Sequence, residues 1–527
     1  MLSPLSRLGL YESAPVIMLA VIAVTAWPRL VIDCPADARA VVCAARAALR
    51  RDSPWHWIAL GFIVCIAAAV RVLHLGQPMR YDEAWTYTYY ASQPLPIALS
   101  DYTFPNNHIF HRVLVWIAVR LFGNSPPVIR LPAFVAGVLM VPAAYLVARR
   151  LAGKEAGLIA AALTAAMPSL ILYSTNARGY SLLGLCFLTL LLLGSAINAA
   201  RRASFCLAFS VVLALGMFTV PVTLYAGGAV VVWLLLDAPR GARRKIAGTL
   251  AAAVGVAALF TLIAYGPVIV RFGIGALYGN RFVTALTWPD FIQALPAFAY
   301  ALPSMWFDGV PTWLAAAIIP GIAISLTKSG GGRAAGVVIA TVIWCGLLLV
   351  AMRRPPFPRV WLFMVPVAIL AASDGLAWLA ARASRLSLIP PGSAATVGAL
   401  LIAGALSVHT VGARVVFKSG ETGTLADGEA VARFLREHAH PSSDHVVVMA
   451  PTGPPIDYYL ATAGGVRLSE YARPSSAARV IVIVNEGNGQ ALDVVMGRRR
   501  DIQWSRFSAP RLLQQFPRAS VYEVRAE

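Results

Sequence analysis

Apolar runs long enough to cross a bilayer recur along the chain, and they decide what it can fold into. They lie near 14–32, 56–75, 127–147, 157–173, 180–199, 204–219, 222–237, 247–270, 310–327, 335–351, 361–378 and 393–411. A helix of about 17–25 apolar residues spans the hydrocarbon core, and inside it only helices or closed barrels satisfy the backbone. The reading is therefore a polytopic α-helical membrane protein of about 11–12 spans. Composition agrees: mean hydropathy is +0.70 and 13% of the 527 residues are charged, about half the share of a soluble protein. The first run, 14–32, lacks a convincing small-residue cleavage site and reads as a retained span or an interfacial helix, not a cleaved signal peptide.

The formal charge of +20 would suggest nucleic acid in a soluble protein, but no binding motif is present, so nucleic acid is not expected as a partner. The basic residues fall in alternate gaps: Arg46, Arg50 and Arg51; Arg149, Arg150 and Lys154; Arg201 and Arg202; Arg240, Arg243, Arg244 and Lys245; Lys328 and Arg333; Arg382 and Arg385. The positive-inside bias places these gaps in the cytoplasm. Residues 76–126, 271–309, 352–360 and everything after about 412 then lie outside. Of six cysteines, Cys65, Cys186, Cys206 and Cys345 sit in apolar runs, while Cys34 and Cys43 flank a short basic loop. No CxxC occurs, so neither a zinc site nor a disulfide framework is supported.

Composition changes after Gly412. Of 24 acidic residues, 12 lie in 412–527. The β-branched runs "HVVVMA" (445–450) and "RVIVIV" (479–484) alternate with the helical patterns "GEAVARFLREHA" (428–439) and "IDYYLATAG" (456–464). The alternation predicts a small α/β domain with a mostly parallel sheet. The expected organisation is an N-terminal apolar segment and basic loop (1–55), a transmembrane domain (56–411) carrying the outer loop 76–126, and an outer α/β domain (412–527).

Three acids, Asp82, Glu83 and Asp101, fall in the loop 76–126. A carboxylate at mid-membrane costs about 2.5–3.5 kcal/mol, a cost avoided in a wet pocket at the outer surface. "HIFHRVLVWIAVRLFG" (108–123) reads as an amphipathic helix along the interface, with His108, His111 and Arg112 on one face. Adjacent residues on a helix diverge by about 100°, so Asp82 and Glu83 are not expected to serve the same atom. Asp82 as a helix N-cap, with Tyr81, Trp85, Tyr87, Tyr89 and Tyr90 as an interfacial belt, is the plain structural alternative. Arg178 is the only formal charge in the tight loop 173–181, and Arg353, Arg354 and Arg359 face outward against the charge bias. Positive charge there suggests a bound anion such as a lipid phosphate.

The strings "YDEAWTYTYYA", "FPNNHIFHRVLVWIAVRLFGNSPPVIRLPAFVAGVLMVPAAYLVARRLAG" and "AALTAAMPSLILYSTNARGYSLL" resemble the membrane glycosyltransferases of the GT-C superfamily. The nearer likeness is to family 39, which includes the dolichyl-phosphate-mannose protein mannosyltransferases, with the aminoarabinose lipid A transferases as relatives. The family's acidic pair matches Asp82 and Glu83. Its "lfG…RlP" matches Leu121 to Gly123 and Arg130 to Pro132. Its "P…ys…aRgY" matches Pro168, Tyr173, Ser174, Ala177, Arg178, Gly179 and Tyr180. The chain departs from it in "NNH" (106–108), where many members have "HPP", and in the added run 14–32.

The resemblance implies inverting transfer of a sugar from a polyprenyl-phosphate donor to an envelope lipid, polysaccharide or protein, at the outer face of the bacterial inner membrane. Asp82 and Glu83 are then the expected catalytic pair, with Asp82 as general base. Arg178, Arg359, Arg353 and Arg354 are expected at the donor phosphate, and Asp101, Asn107, His108, His111, Tyr81 and Tyr180 around acceptor or sugar. No organic cofactor is expected; a divalent metal on Asp82, Glu83 and His108 stays open. The rival class is a secondary transporter or lipid-linked sugar flippase, against which stands the lack of internal repeats.

Overall fold

The computed structural model describes residues 39, 52–104, 108–200, 203–279, 284–328, 332–385, 391–475 and 477–527. Eleven of the twelve apolar runs are helical; the remaining one, 14–32, lies outside the described residues. Among the described residues, seven helices are long and apolar enough to span a membrane: Pro54–Leu75, Pro126–Ala152, Tyr180–Ala200, Arg243–Ala264, Arg333–Met352, Met364–Ala383 and Pro391–Gly412. An eighth crossing is a pair, Lys154–Ala166 and Pro168–Ser174, bent by 59°. Pro168 causes the bend, because it has no N–H for the preceding turn and its ring clashes there. Three helices are shorter: Ala203–Thr219, Thr223–Asp237 and Thr312–Thr327. The protein is a multi-pass membrane protein.

The broken helix needs a cap inside the bundle. Arg71, fully buried, donates to the Ala165 and Thr164 carbonyls at 2.7 and 3.3 Å and to Ser174 Oγ at 2.8 Å. A cation at a helix C-terminus faces the negative end of its dipole and satisfies carbonyls that lack a helical partner. The loops expected on one side do meet: 77–83, 176–178, 359 and 419–423 converge at one end of the bundle. Charges from the alternate gaps pair with one another, Asp52 with Arg149 and Asp237 with Arg333.

Beyond Gly412, four strands, β1 (Asp444–Val447), β2 (Arg479–Val484), β3 (Arg511–Gln515) and β4 (Ser520–Arg525), form one sheet in the order β1-β2-β4-β3. Only β1 and β2 are parallel; β4 runs antiparallel to both β2 and β3. The mostly parallel sheet expected from the sequence is therefore corrected. A parallel pair needs a long crossover, supplied between β1 and β2 by the helix Gly453–Gly464, whereas β3 and β4 are joined by a short turn that allows only an antiparallel hairpin. β2 is buried on both faces. Ile481 and Ile483 pack under the helices with Val431, Leu435, Ile456 and Leu460, while Val480, Val482 and Val484 pack with Val495 and Phe507.

This domain docks through "DYY" (457–459). Tyr459 Oη accepts from the Met79 N–H at 3.1 Å, Tyr458 Oη donates to the Asn124 carbonyl at 2.7 Å, and Asp457 accepts from Tyr89 Oη at 2.8 Å. All three contacts fall on the loop 76–126, so the domain rests directly against the segment that carries Asp82.

Candidate functional site

The segment after Leu75 turns at Pro78 and restarts as a short helix, Tyr81–Thr86. Arg80 is its N-cap residue, in extended geometry. Asp82 is thus the second helical residue and not the cap. Glu83, at the third position, reaches back to accept from the Arg80 N–H at 2.9 Å, the carboxylate half of a capping box. The helix runs on through a π-turn, Tyr87–Ala91. Such turns are rare and often lie at functional sites.

The two carboxylates part company as their helical positions require. Glu83 is fully buried and paired with Arg130 through both oxygens. It also accepts from the Ala177 N–H at 2.8 Å. Arg130 in turn donates to the Leu75, Gln77 and Pro78 carbonyls. Every lone-pair direction of Glu83 is taken up by the protein. In this geometry Glu83 ties the loop to Arg130, Arg80 and the Ala177 turn.

Asp82 faces a different set of groups. Its Oδ2 lies 4.0 Å from Arg178 Nη2 and 3.8 Å from Arg359 Nη2, with the side chain 8% exposed. These separations exceed a direct charge-assisted hydrogen bond, which runs about 2.7–2.9 Å. The carboxylate thus sits between two guanidinium groups, within ion-pair distance of both. Arg178 is 1% exposed and donates to Thr86 Oγ1 at 3.1 Å, and Thr86 donates to the Asp82 carbonyl at 2.8 Å. Burial opposes the charge on Arg359, but the neighbouring Tyr180, Asp82, Tyr173 and Glu421 outweigh it and raise its pKa.

The histidines form a neutral wall. His108 Nδ1 accepts from the Gly179 N–H at 3.2 Å, which leaves the ring proton on Nε2. Its ring stands edge-on to Tyr180, and Tyr180 to Tyr173, at centroid distances of 4.8 and 5.1 Å. Only glycine fits at 179, since a Cβ there would lie 2.5 Å from Thr219 and 2.6 Å from His108. Burial first, and then Arg178, push the His108 pKa well down and that of His111 to about 3. Neither ring nitrogen of His111 has a hydrogen-bond partner among the described residues.

The other expected residues divide. Tyr81 is half-buried and lies 6.1 Å from Trp85, ring to ring. Asp101 is tied to Thr103 and to Arg271 at 3.6 Å. Arg353 lies over the Trp288 ring at 5.5 Å, and Arg354 follows it in the same loop, half-buried. Asn107 lies outside the described residues. Among the described residues no group of three or more metal-binding side chains is placed to hold an ion. Sequence reasoning gave no role to Arg130, Arg80 or Glu421. A lone arginine in the apolar run after Pro127 was the available signal for Arg130; nothing local marked Glu421.

Two outcomes follow from this geometry. Glu83→Gln removes one charge from a buried pair and should lower stability by about 3–5 kcal/mol, read as thermal unfolding of the detergent-purified protein, while Asp82→Asn should unfold near the wild-type temperature. His111 stays neutral in the fold, but its unfolded imidazole takes up a proton near pH 6.5. Acid therefore favours the unfolded state, and this residue should withdraw about 1.4 kcal/mol between pH 7.5 and 5.5. His111→Leu should flatten that part of the pH–stability curve.

Over residues 107–266 the chain matches the family described as dolichyl-phosphate-mannose-protein mannosyltransferase. No curated protein matches it at a significant level. Among solved structures it is similar to ArnT from Cupriavidus metallidurans in the apo state, with a TM-score of 0.56 and 18% identity, covering 89% of this chain and 97% of that one. The same protein bound to undecaprenyl phosphate gives a TM-score of 0.55 and 17% identity, covering 89% and 98%. The chain shares the fold of ArnT and matches the protein mannosyltransferase family model over 107–266.

Proposed function

We propose that the protein is an inverting glycosyltransferase. It moves a sugar from a polyprenyl-phosphate donor to an acceptor hydroxyl on an envelope lipid, polysaccharide or protein, at the outer face of the bacterial inner membrane. The observation that carries the reading is the placement of the Asp82 carboxylate between Arg178 and Arg359, which arrive from two separate loops. Similarity to a structure that holds undecaprenyl phosphate supports a lipid phosphate as the anion. A cavity of about 420 Å³ is walled by Pro168, Leu172, Met305, Pro358 and Val416, with Tyr173, Asp308 and Glu421 among its polar groups, and Glu421 links it to Arg359. Its apolar wall suits a prenyl chain whose phosphate reaches Arg359.

The chemistry follows from charge. The donor phosphodiester carries one negative charge and gains a second as the anomeric C–O bond breaks. Fixed guanidinium groups in a site this dry stabilise that new charge more than the ground state. Asp82 accepts the proton of the acceptor hydroxyl while the hydroxyl oxygen attacks the anomeric carbon from the face opposite the phosphate. The new glycosidic bond forms as the phosphate leaves, so the configuration inverts.

The purified protein should transfer sugar from a panel of pentosyl, hexosyl and aminosugar polyprenyl phosphates to envelope extracts. Asp82→Asn should reduce turnover by about 10²–10⁴-fold, yet bind undecaprenyl phosphate at least as tightly as wild type, because a competing anion is gone. Arg178→Ala should lose both turnover and binding. Near-normal transfer by Asp82→Asn would sink the assignment of the base.

A further inference from the structure

The segment that joins the last long helix to the sheet domain runs through the site. Arg80, fully buried beside Asp82, donates to the carbonyls of Val416, Ser419 and Glu421 at 2.6, 2.9 and 2.8 Å. In return the Tyr81 and Asp82 N–H groups donate to the carbonyls of Gly423 and Thr422 at 3.1 and 3.4 Å. Asn176, two residues before Arg178, donates to Thr422 Oγ1 at 2.8 Å. Thr422 holds φ = 66°, a backbone region that costs a non-glycine residue about 1–3 kcal/mol. Gly423 follows at φ = 73°, where a Cβ would lie 2.9 Å from Tyr81. The connection is thus strained and fastened at both faces of the Asp82 turn.

From this brace Glu421 reaches Arg359. Its Oε1 accepts from Arg359 Nη1 at 3.3 Å and from Tyr173 Oη at 3.0 Å. The other terminal nitrogen of the same guanidinium, Nη2, is the one 3.8 Å from Asp82. One planar group therefore lies between two carboxylates, hydrogen-bonded to Glu421 and 3.8 Å from Asp82. We propose that Glu421 is a positioning residue for transfer: it fixes Arg359 so that Nη2 points at the place where the phosphate charge develops. The proposal rests on the reading of Asp82 and Arg359 given above. A carboxylate that merely occupied an empty anion site would need freedom to leave. Glu421 has its own carbonyl gripped by Arg80 and its carboxylate anchored by a tyrosine from the broken helix, so it stays when the phosphate arrives. The membrane domain alone then lacks part of its own site, since the residue that orients Arg359 lies beyond the last span.

The test uses the full-length protein and steady-state transfer. Glu421→Gln keeps an acceptor for Tyr173 but removes the charge that holds Arg359. It should lower kcat by about 10–100-fold, at or below the roughly 10²–10³-fold cost of losing a transition-state donor outright, because Arg359 is left in place but less well oriented, with the donor KM changed less than about threefold. Tyr173→Phe should give a smaller loss in kcat of the same kind, and Glu421→Asp should recover part of the Gln defect. Wild-type kcat in Glu421→Gln overturns the proposal. So does a loss that follows the fraction of unfolded protein, measured by thermal melting and size exclusion, with the folded remainder turning over normally. The two readings separate cleanly. If Asp82→Asn retains transfer, the site reading has failed; if Asp82→Asn is inactive and Glu421→Gln is normal, only the role of Glu421 has failed.

Discussion

The buried pair of Glu83 and Arg130 is the interaction on which the rest of the site hangs. It joins the end of the first described span, the Asp82 helix, the Ala177 turn and the start of the helix Pro126–Ala152 in one hydrogen-bonded knot. Two charges out of water are tolerable only when both are fully partnered, and here the carboxylate accepts from two backbone N–H groups besides the guanidinium. Once Glu83 is fixed, its neighbour Asp82 must point about 100° away, toward Arg178 and Arg359. The placement of Asp82 is thus a consequence of where Glu83 is tied.

The sheet domain takes part in the same construction. It docks with Tyr458, Tyr459 and Asp457 on the segment that carries Asp82, and its lead-in strand of chain is bound by Arg80. A lipid-facing bundle has no hydrophobic drive to close its own polar end. A soluble layer pressed against the loops supplies that closure and excludes water from the carboxylate and its two arginines. Low dielectric strengthens each charge interaction within it.

Much of the fold was legible in the chain. Eleven apolar runs became helices because a membrane span needs only length and apolarity, both written locally. Three of them are shorter than a straight crossing, and Pro168 splits another, a break whose cause was equally visible. The sheet was less legible. β1, β2 and the helices around them stood out as β-branched and amphipathic patterns, but the hairpin of β3 and β4, with exposed Arg511, Leu512 and Gln514, carried no such signal, and with it went the parallel reading. Of the site, Asp82 and Arg178 were conspicuous as charges in apolar surroundings. The division of labour between Asp82 and Glu83 followed from helical geometry. Arg353 and Asp101 looked alike in sequence to residues that do meet at Asp82, yet one stacks on Trp288 and the other pairs with Arg271.

What the sequence determined by itself was periodicity and oddity: which stretches are apolar enough to span, where charge alternates between gaps, and which few charged residues stand where solvation is costly. These are local properties, fixed by composition over a turn or a span. Only the tertiary structure decided partners. Whether a carboxylate is a strut or a base depends on which guanidinium lies within about 4 Å, and those arrive from positions 47, 96, 277 and 62 residues away along the chain. Coulomb energy falls with distance and rises as water is excluded. The same glutamate type therefore became a buried knot at 83 and a tether for Arg359 at 421, a distinction that no stretch of sequence carries.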